Sequence, residues 1–443
     1  MCRVAPTKRP VGALRAIPSL CAASTQIFQR CRGFIAMKIA CMDCNHEVIM
    51  GTLGACPACG GILQAHYDDA AINTLIEIQP GRGIDRYRSL MPVQSAIPNL
   101  GEGDTPLLKS KRIGTALGLD HLYFKNEGLN PSGAFKDRAG AMVAALAIDN
   151  QARGVICASS GNASSAVAAY CAAAGLDCII LMEPGNPVTK LRQTLATGAR
   201  VIRVEGIFAH GPEALRDMLI DVAQRTNHYL GFIWAPVNPY ILEGIKTIAY
   251  EIASQLNVVP DAVIAPVGGG DMFTAQWRGW CELHRAGVID TLPRMIAVQS
   301  ESAPPLLAAF RNEQSSVETL SYANSKVSGI NVAFTGNHAL AAVRESNGYV
   351  VGVSDDEIFA MQRRIAVEEG IWIEPASAAP VAALHHLKEA RQIESDSYIA
   401  CIMSGAGFKD AKLAADVANT IAQQETASFD AAHISELIGQ QLS

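Results

Sequence analysis

The feature that most constrains the fold of this chain is a regular alternation of short apolar runs with helical segments, which begins at residue 151. Continuous Val/Ile-rich strands separated by helices are typical of parallel sheets covered on both faces. We therefore predict an α/β fold built from βαβ units. The predicted strands read GVICAS, DCIILME, RVIRVE, YLGFIWAP, DAVIAPV, RMIAVQS and YIACIMS, and the helices include ASSAVAAYCAAAG, VTKLRQTLATGA, ALRDMLIDVAQRT and LEGIKTIAYEIASQL.

Composition limits the classes of protein to which the chain can belong. Its 443 residues are enough for two or three domains, and 49% hydrophobic with 18% charged residues is the composition of a globular enzyme. The net charge of −6 argues against a general affinity for nucleic acid or for an anionic membrane. No apolar run approaches the ~20 residues of a membrane-spanning helix. We expect a soluble protein with no nucleic-acid or membrane partner.

The N-terminal segment differs from the rest of the chain. No acidic residue precedes Asp43, and a mitochondrial presequence has the same basic, acid-poor character. Prolines that break helices interrupt the segment, however. We favour a disordered leader or a misassigned start over residues 1–36, with a cytoplasmic protein as the expectation and a mitochondrial one as the alternative. The basic residues before Asp43 are Arg3, Lys8, Arg9, Arg15, Arg30, Arg32 and Lys38.

Two Cys-x-x-Cys pairs, separated by eleven residues, follow in CMDCNHEVIMGTLGACPACGG. Two such pairs can supply the four thiolates of a tetrahedral zinc site, with free thiols as the alternative. Gly60 and Gly61 help the backbone fold around the second pair. Because four thiolates leave no open position, zinc is expected to support folding rather than catalysis. The predicted ligands, in a zinc ribbon over residues 37–66, are Cys41, Cys44, Cys56 and Cys59.

The stretch SSGNASSAVAAY follows a predicted strand and opens a predicted helix. Its hydroxyls, amide and backbone N–H groups lie at the positive end of the helix, where an anion such as a carboxylate is favoured. Simple capping of the helix by Ser or Asn is an equal alternative. The candidate carboxylate-binding residues are Ser159, Ser160, Gly161 and Asn162.

Two further turns join strands to the elements that follow them. PVGGGDMF, residues 266–273, places three bare amides in succession, which form a nest suited to phosphate. Asp271 adds an unfavourable charge there unless its side chain turns away. MSGAGFKD, residues 403–410, presents the Ser404 hydroxyl at the carboxyl edge of the sheet, where α/β proteins bind ligands. For this second turn alone, a plain connector is the simpler interpretation.

The turn NPSGAFKDRAG delivers Lys136 to the start of an Ala-rich helix, and the tripeptide FKD returns at Lys409. Together with GEGDTPL, SSGNAS, NPYILEGIKT, PVGGGD, EPASAA and SGAGFKD, this turn resembles the threonine synthases, which are pyridoxal-phosphate enzymes of the tryptophan-synthase β fold type. The motifs occur in the order of that family over about residues 38–415. The resemblance implies that Lys136 forms the Schiff base with the cofactor and that Lys409 does not. Because Lys409 follows its turn by several residues, we expect it to pair with Asp410 or solvent.

The resemblance also implies the fold and the cofactor contacts. The fold would be two open, twisted, mostly parallel sheets with flanking helices, behind the small zinc ribbon. A neutral hydroxyl at the pyridine nitrogen would leave that nitrogen largely unprotonated, which favours elimination and replacement over transamination. The implied contacts are Phe135 against the cofactor, Asn162 to the ring hydroxyl, Ser404 to the pyridine nitrogen, and the backbone amides of Gly268, Gly269, Gly270, Asp271 and Met272 to the phosphate.

Four positions depart from the family pattern. Ile241 and Ala235 replace the Arg and Asn that hold the phosphate of O-phosphohomoserine, and Ala163 and Ala406 replace a Thr and a His. An apolar side chain cannot replace a bidentate phosphate ligand. Lys190, Arg192 and His210 are other candidates for that clamp. We therefore predict a threonine synthase-like lyase or synthase performing β- or γ-elimination, with or without replacement, on a small L-amino acid.

Two other functions remain as alternatives. A serine/threonine dehydratase needs no clamp for a substrate phosphate, and a zinc-ribbon binding module on an inert body is the third reading. For the domains we expect a large cofactor-binding domain over residues 67–137 and 235–443 and a small mobile domain over residues 138–234. The resemblance suggests a homodimer.

Overall fold

The computed structural model describes residues 37–76, 81–185, 191–410, 430–432, 434 and 435. The predicted leader and the clamp candidate Lys190 lie outside the described residues. One compact unit ends at Lys409 and a second begins at Asp410, and the description below concerns the first.

Thirteen strands occur in the described residues, and they form three sheets. They are β1 (Met37–Cys41), β2 (Glu47–Val48), β3 (Leu63–Tyr67), β4 (Leu107–Lys109), β5 (His121–Asn126), β6 (Gly154–Ala158), β7 (Asp177–Met182), β8 (Arg200–Arg203), β9 (His228–Leu230), β10 (Ala262–Pro266), β11 (Arg294–Ser300), β12 (Tyr349–Val353) and β13 (Tyr398–Met403).

Thirteen α-helices lie between and around these strands in the part of the chain that the structure describes. They are α1 (Asp69–Ile72), α2 (Ile113–Leu117), α3 (Lys136–Asp149), α4 (Asn162–Ala174), α5 (Arg192–Ala196), α6 (Gly211–Thr226), α7 (Ile241–Ile245), α8 (Thr247–Leu256), α9 (Asp271–Arg285), α10 (Pro305–Arg311), α11 (Asn337–Glu345), α12 (Asp355–Arg364) and α13 (Pro375–Glu389).

The two larger sheets are parallel apart from one edge strand. The six-stranded sheet has the order β12-β11-β10-β13-β5-β4, in which β4 alone is antiparallel, and the four-stranded sheet has the order β8-β7-β6-β9. Their central strands are buried along their whole length, as continuous apolar runs require. This confirms the predicted fold class. Because all these strands run the same way, the turns after β6, β10 and β13 leave their sheets at carboxyl edges, where ligands bind in such folds.

Several elements differ from the sequence-based strands and helices. YLGFIWAP forms only the short strand β9, since a side chain at Gly231 would lie 2.5 Å from Val155 and the chain turns away from the sheet. The predicted helix LEGIKTIAYEIASQL is divided into α7 and α8 at Lys246. Strand β5 was not predicted because Lys125 and Asn126, both buried, interrupt its apolar pattern.

The three-stranded antiparallel sheet β2-β1-β3 forms the ribbon predicted over residues 37–66. The backbone N–H of Gly54 donates to the carbonyl of Val237 over 2.8 Å, and the hydroxyl of Tyr67 donates to Glu243 over 2.9 Å. The N–H of Gly51 donates to the hydroxyl of Tyr240 over 2.6 Å. The ribbon therefore packs directly on the segment that contains α7.

Helices α3 and α4 pack against each other unusually closely near their N-termini. A Cβ atom on Gly140 would lie 3.0 Å from the backbone carbon of Ala166 and 3.0 Å from the ring of Tyr170. Gly140 and Ala166 each stand four residues after the first residue of their helix, Lys136 and Asn162 respectively. Small residues one turn below the ends thus set how near the two N-termini come.

Among the described helices, we find none whose length and apolar character would let it cross a membrane.

Candidate active site

Lys136 is the first residue of α3 and is half-buried. Its Nζ lies 4.8 Å from the centroid of the Phe135 ring. Burial lowers the pKa of Lys136, and the nearby charge of Asp271 acts in the opposite direction. A lower pKa leaves more of the amine unprotonated near neutral pH, which is the form that attacks a carbonyl carbon. Lys136 therefore has the environment of a reactive amine.

The turn before Lys136 is held against the end of β13. The N–H of Phe135 donates to the carbonyl of Ser404 over 3.0 Å, and the N–H of Ala406 donates to the carbonyl of Gly133 over 2.8 Å. Gly133 has φ of +92°, and a Cβ atom there would lie 2.5 Å from the ring of Phe408. Glycine is required at this position both for its backbone conformation and for space.

Lys409, the second lysine of the repeated tripeptide, lies in the same region. Its Nζ donates to the carbonyl of Ser132 over 3.0 Å and to Oε1 of Gln193. The expectation that it pairs with Asp410 or solvent misses both of these partners. Burial lowers the pKa of Lys409 to about 8, against the charges of Glu374 and Asp137. The amine is thus engaged in hydrogen bonds that hold the turn of Lys136 to α5.

The glycine-rich turn lies between β10 and α9, as the sequence predicts. The hydroxyl of Thr335 donates to the carbonyl of Gly268 over 2.7 Å, and the N–H of Gly336 donates to the carbonyl of Gly269 over 3.1 Å. Among the described residues, no acceptor is found for the N–H groups of Gly268, Gly269 and Gly270. Because the carbonyls of Gly268 and Gly269 accept hydrogen bonds from Thr335 and Gly336, the turn is held in place. Its N–H groups are available to an anion at the N-terminus of α9.

The carboxylate of Asp271 turns back from this nest. Its Oδ1 accepts the backbone N–H of Ala235 over 2.8 Å, and the residue is buried. The side chain of Met272 is also buried, in the apolar core, so only its backbone can serve an anion. The sequence analysis required the side chain of Asp271 to turn away from the nest. It does turn away, but its charge still acts on Lys136.

Glu374 joins the two residues predicted to contact the cofactor ring. Its Oε2 accepts from Nδ2 of Asn162, at the N-terminus of α4, over 2.9 Å. Its Oε1 accepts from the hydroxyl of Ser404, after β13, over 2.9 Å. The carboxylate is buried, and the hydroxyl of Ser377 lies 3.1 Å from that of Ser404. One acidic side chain therefore links two predicted cofactor-binding residues, which follow strands of different sheets.

The residues Ser159 to Asn162 precede and open α4. Gly161 occupies the cap position, and no side chain hydrogen-bonds there as a cap. The hydroxyl of Ser159 accepts the N–H of Gly161 over 3.2 Å, and Ser159 and Ser160 are half-buried. A capping hydrogen bond from a Ser or Asn side chain is thus not formed at this helix, and anion binding by these four residues stays a prediction.

The departures from the family pattern lie in the following places. Ile241 is fully buried in the apolar core at the start of α7, and Ala235 is fully buried. Arg192 and His210 are exposed.

The sequence motifs missed three residues of the site: Glu374, Thr335 and His338. Glu374 stands in EPASAA, but nothing in that motif indicates that its carboxylate reaches Asn162, 212 residues away. The segment Thr335 to His338 supports the glycine-rich turn across 67 residues. The sequence carried one signal for this segment, the glycine of TGNH. A Cβ atom on Gly336 would overlap the ring of His338, so the position requires glycine.

Comparison with known proteins identifies the class to which this fold and site belong. A family model described as pyridoxal-phosphate dependent enzyme matches residues 98–405. The threonine deaminase isoform 2 of Solanum lycopersicum has the same fold, with a TM-score of 0.62 and 24% identity over 84% of this chain and 93% of that one.

Full-length sequence relatives narrow the class. The threonine synthase of Methanocaldococcus jannaschii is 38% identical over 84% of this chain and 92% of its own length. That of Methanosarcina acetivorans is 34% identical over 86% of this chain and 94% of its own. The chain belongs to the threonine synthase family of pyridoxal-phosphate-dependent enzymes, and the recognition made from its motifs is confirmed.

Proposed function

We propose that the protein is a pyridoxal-phosphate-dependent, threonine synthase-like carbon–oxygen lyase that performs β- or γ-elimination, with or without replacement, on a small L-amino acid. The observation that carries the proposal is that the charge of Asp271, the residue directly after the three free amides of the glycine-rich turn, acts on the amine of Lys136. A half-buried amine with a lowered pKa and an anion nest fit the aldehyde and the phosphate of this cofactor. The bound cofactor supplies an electron sink for a substrate carbanion.

Each residue of the site is assigned a role in this proposal. Lys136 holds the cofactor and then moves the proton at the α-carbon of the substrate. The amides of Gly268 to Met272 bind the phosphate at the N-terminus of α9. Asn162 and Ser404 bind the ring hydroxyl and the pyridine nitrogen. The turn Ser159 to Asn162 binds the substrate carboxylate, for which the N-terminus of α4 is electrostatically suited.

A serine/threonine dehydratase is the second candidate. It is favoured by Ile241, whose side chain is enclosed in the apolar core and cannot bind a substrate phosphate. An ammonia-lyase reaction requires no such ligand, whereas a phosphorylated substrate brings a dianion that must be paired when it leaves water. A zinc-ribbon binding module on an inert body is the third and least supported function, since it assigns no role to the amine of Lys136 or to the anion nest.

We expect O-phosphohomoserine to be a poor substrate. With Ile241 and Ala235 fully buried and apolar, the charge-assisted hydrogen bonds of a phosphate clamp are missing at those positions. We expect kcat/KM for O-phosphohomoserine to be at least ~10-fold below that of the best substrate without a phosphate, which corresponds to about one lost hydrogen bond to a charged group.

The measurement compares kcat/KM for O-phosphohomoserine, L-threonine, L-serine and acidic 3-hydroxy amino acids. Products are assayed as 2-oxo acid, ammonia, phosphate and new amino acid, so that elimination and replacement are distinguished. Efficient formation of threonine from O-phosphohomoserine would contradict this expectation and would point to a clamp elsewhere, for example at Lys190, Arg192 or His210.

We propose structural zinc in the ribbon. The four thiol sulfurs of Cys41, Cys44, Cys56 and Cys59 lie within 4.8 Å of one another, as a tetrahedral site requires. Backbone N–H groups approach two of the sulfurs, that of Asp43 on Cys41 and that of Ala58 on Cys56, both at 3.4 Å. Such donors stabilise thiolates, which are the form that binds zinc.

Replacement of Cys56 by Ser should remove the metal and lower the free energy of unfolding by several kcal/mol, because metal binding and folding are coupled in such sites. The wild type should contain about one zinc per chain. Metal content and chemical denaturation are measured on wild type, Cys56→Ser and the control Cys281→Ser, whose thiol lies outside the cluster. The cofactor spectrum of the folded Cys56→Ser fraction should be unchanged. A stable, metal-free wild type would exclude the zinc site.

We also propose the division into a large domain, residues 67–137 and 235–443, and a small one, residues 138–234. A homodimer, a cytoplasmic location and the lack of a nucleic-acid or membrane partner are further proposals, supported by the family resemblance and the acidic net charge.

A further inference from the structure

His338 is a buried histidine for which the motifs assign no role. It is the second residue of α11 and is 1% exposed. Among the described residues, neither of its ring nitrogens has a hydrogen-bond partner. A buried polar group without a partner costs about 1–3 kcal/mol, so its persistence needs a reason.

The ring of His338 lies against the glycine-rich turn. A Cβ atom on Gly270, which has φ of +100°, would be 3.3 Å from Nε2 of His338. The same nitrogen is 3.5 Å from Oδ1 of Asp271. The residues just before it, Thr335 and Gly336, hold the carbonyls of the turn. The imidazole therefore packs directly against the turn that forms the anion nest.

A phosphate at this turn would add negative charge beside Asp271, and the cation already near Asp271, Lys136, has a pKa that burial lowers. A phosphate monoester contributes up to about two negative charges near neutral pH, and Asp271 adds another at the same helix end. Like charges in a buried place disfavour one another. Among the described residues, Asp271 is the one acidic group in ion-pair contact with His338.

Other charged or titratable groups stand on the elements packed against α11. None of them forms an ion pair with His338 among the described residues. They are Arg278, Cys281, Glu282, His284 and Arg285 on α9, Arg294 on β11, Arg311 on α10 and Tyr349 on β12.

We propose that His338 takes up a proton when a dianionic phosphate binds to the turn of Gly268 to Met272. The imidazolium then pairs with Asp271 and balances the charge of the anion, which assigns His338 as a positioning residue of the phosphate site. The proposal rests on the proposed function, because that function places a cofactor phosphate at this turn. Histidine suits the role since its charge changes between about pH 5 and about pH 8.

Linkage gives a consequence that can be measured. If anion binding takes up a proton, lower pH must strengthen anion binding by the same coupling. Sulfate is a suitable probe because it stays dianionic across this pH range, so any proton taken up on binding passes from the buffer to a group of the protein. Its displacement by pyridoxal 5′-phosphate shows that it occupies the cofactor site.

The experiment is calorimetric titration of cofactor-free protein with sulfate in two buffers of different ionisation enthalpy, at about pH 6, 7 and 8. Wild type should take up a measurable fraction of a proton per sulfate bound, and its affinity should rise toward the lowest pH. His338→Gln should take up none, bind sulfate about 10-fold more weakly at the lowest pH and lose the pH dependence. His66→Gln is the control, since His66 also has an unpartnered buried nitrogen but lies in the ribbon.

Three outcomes would overturn the proposal: wild type that binds sulfate without proton uptake, wild type that binds no sulfate competed by the cofactor, or uptake that persists in His338→Gln. Wild type that binds sulfate without proton uptake overturns the proposal even if the variant fails to fold. Failure of the proposed function is recognised separately, because wild type would then yield no reduced cofactor adduct on borohydride treatment.

Discussion

Lys136→Ala is expected to hold no covalently attached cofactor and to lose turnover by at least about 10³-fold, the range seen when a positioned proton-transfer group is removed. The physical reason is that the site assigns two tasks to one amine, attachment of the cofactor and transfer of the α-proton. Burial lowers the pKa of Lys136, so the wild-type amine is more available near neutral pH than an exposed lysine. Alanine can perform neither task.

The measurement is borohydride reduction in the presence of the cofactor, followed by peptide mapping and an absorbance spectrum. Lys409→Gln is the matched control, because Lys409 is the other half-buried lysine at the site and burial lowers its pKa to about 8. The label should stay on Lys136 in that control, although weaker docking of α5 through Gln193 would reduce activity somewhat. A label on Lys409 in the wild type would refute the assignment.

Arg138→Met is expected to lower the free energy of unfolding by about 3–5 kcal/mol, the cost of removing one partner from a buried ion pair. Arg138 is fully buried two residues after Lys136. Its guanidinium donates to Glu127 over 2.8 Å from both Nε and Nη2, and to Glu251 over 2.5 and 2.8 Å. Met fills similar space but leaves two buried carboxylates, and among the described residues the ion pair that remains to them is that of Lys125 with Glu251.

The effect should depend on pH in a defined direction. Burial raises the pKa of Glu251, but the charges of Arg138 and Lys125 outweigh it and hold the pKa at about 2. Because this folded value lies below the unfolded one, ~4.3, the contribution to stability is present above that pH and is lost as pH falls toward about 2. Without Arg138, burial raises the folded pKa, so acid should destabilise the variant less than the wild type.

Denaturant unfolding at about pH 7 and about pH 4 measures both effects. Arg153→Ala serves as the surface control, since Arg153 and Asp177 form an ion pair with side chains 71% and 60% exposed. Such a pair contributes only about 0–1 kcal/mol. Equal losses in Arg138→Met and Arg153→Ala would mean that the buried network contributes no more than an exposed pair.

The fold could be predicted wherever local pattern and tertiary role agree. Strands β10 and β11 are buried on both faces, and their continuous apolar runs indicate this directly. Strand β5 escaped prediction because buried ion pairs, such as that of Lys125 with Glu251, place charges in a central strand. A charged residue in a strand normally indicates exposure, and only the three-dimensional partners reveal the exception.

The site was predictable to the extent that its parts lie in continuous turns. Lys136 and the three glycines of residues 268–270 stand in such motifs, and their roles stay predictions that the geometry supports. Glu374 and His338 act across 212 and 67 residues respectively, to Asn162 and to Asp271. Contacts of that kind depend on how the sheets and helices pack, which one sequence does not specify.

The contact of Gly140 with Ala166 has a consequence for the tolerance of the site to change. The proposed cofactor ligands Lys136 and Asn162 stand one turn above that contact, on α3 and α4. A methyl group at position 140 would meet backbone atoms at about 3.0 Å, which cannot yield as a flexible side chain can. The distance between the two proposed ligands therefore depends on an apolar packing contact in which neither ligand takes part. A larger residue at position 140 is therefore expected to change the distance between Lys136 and Asn162 without altering either residue.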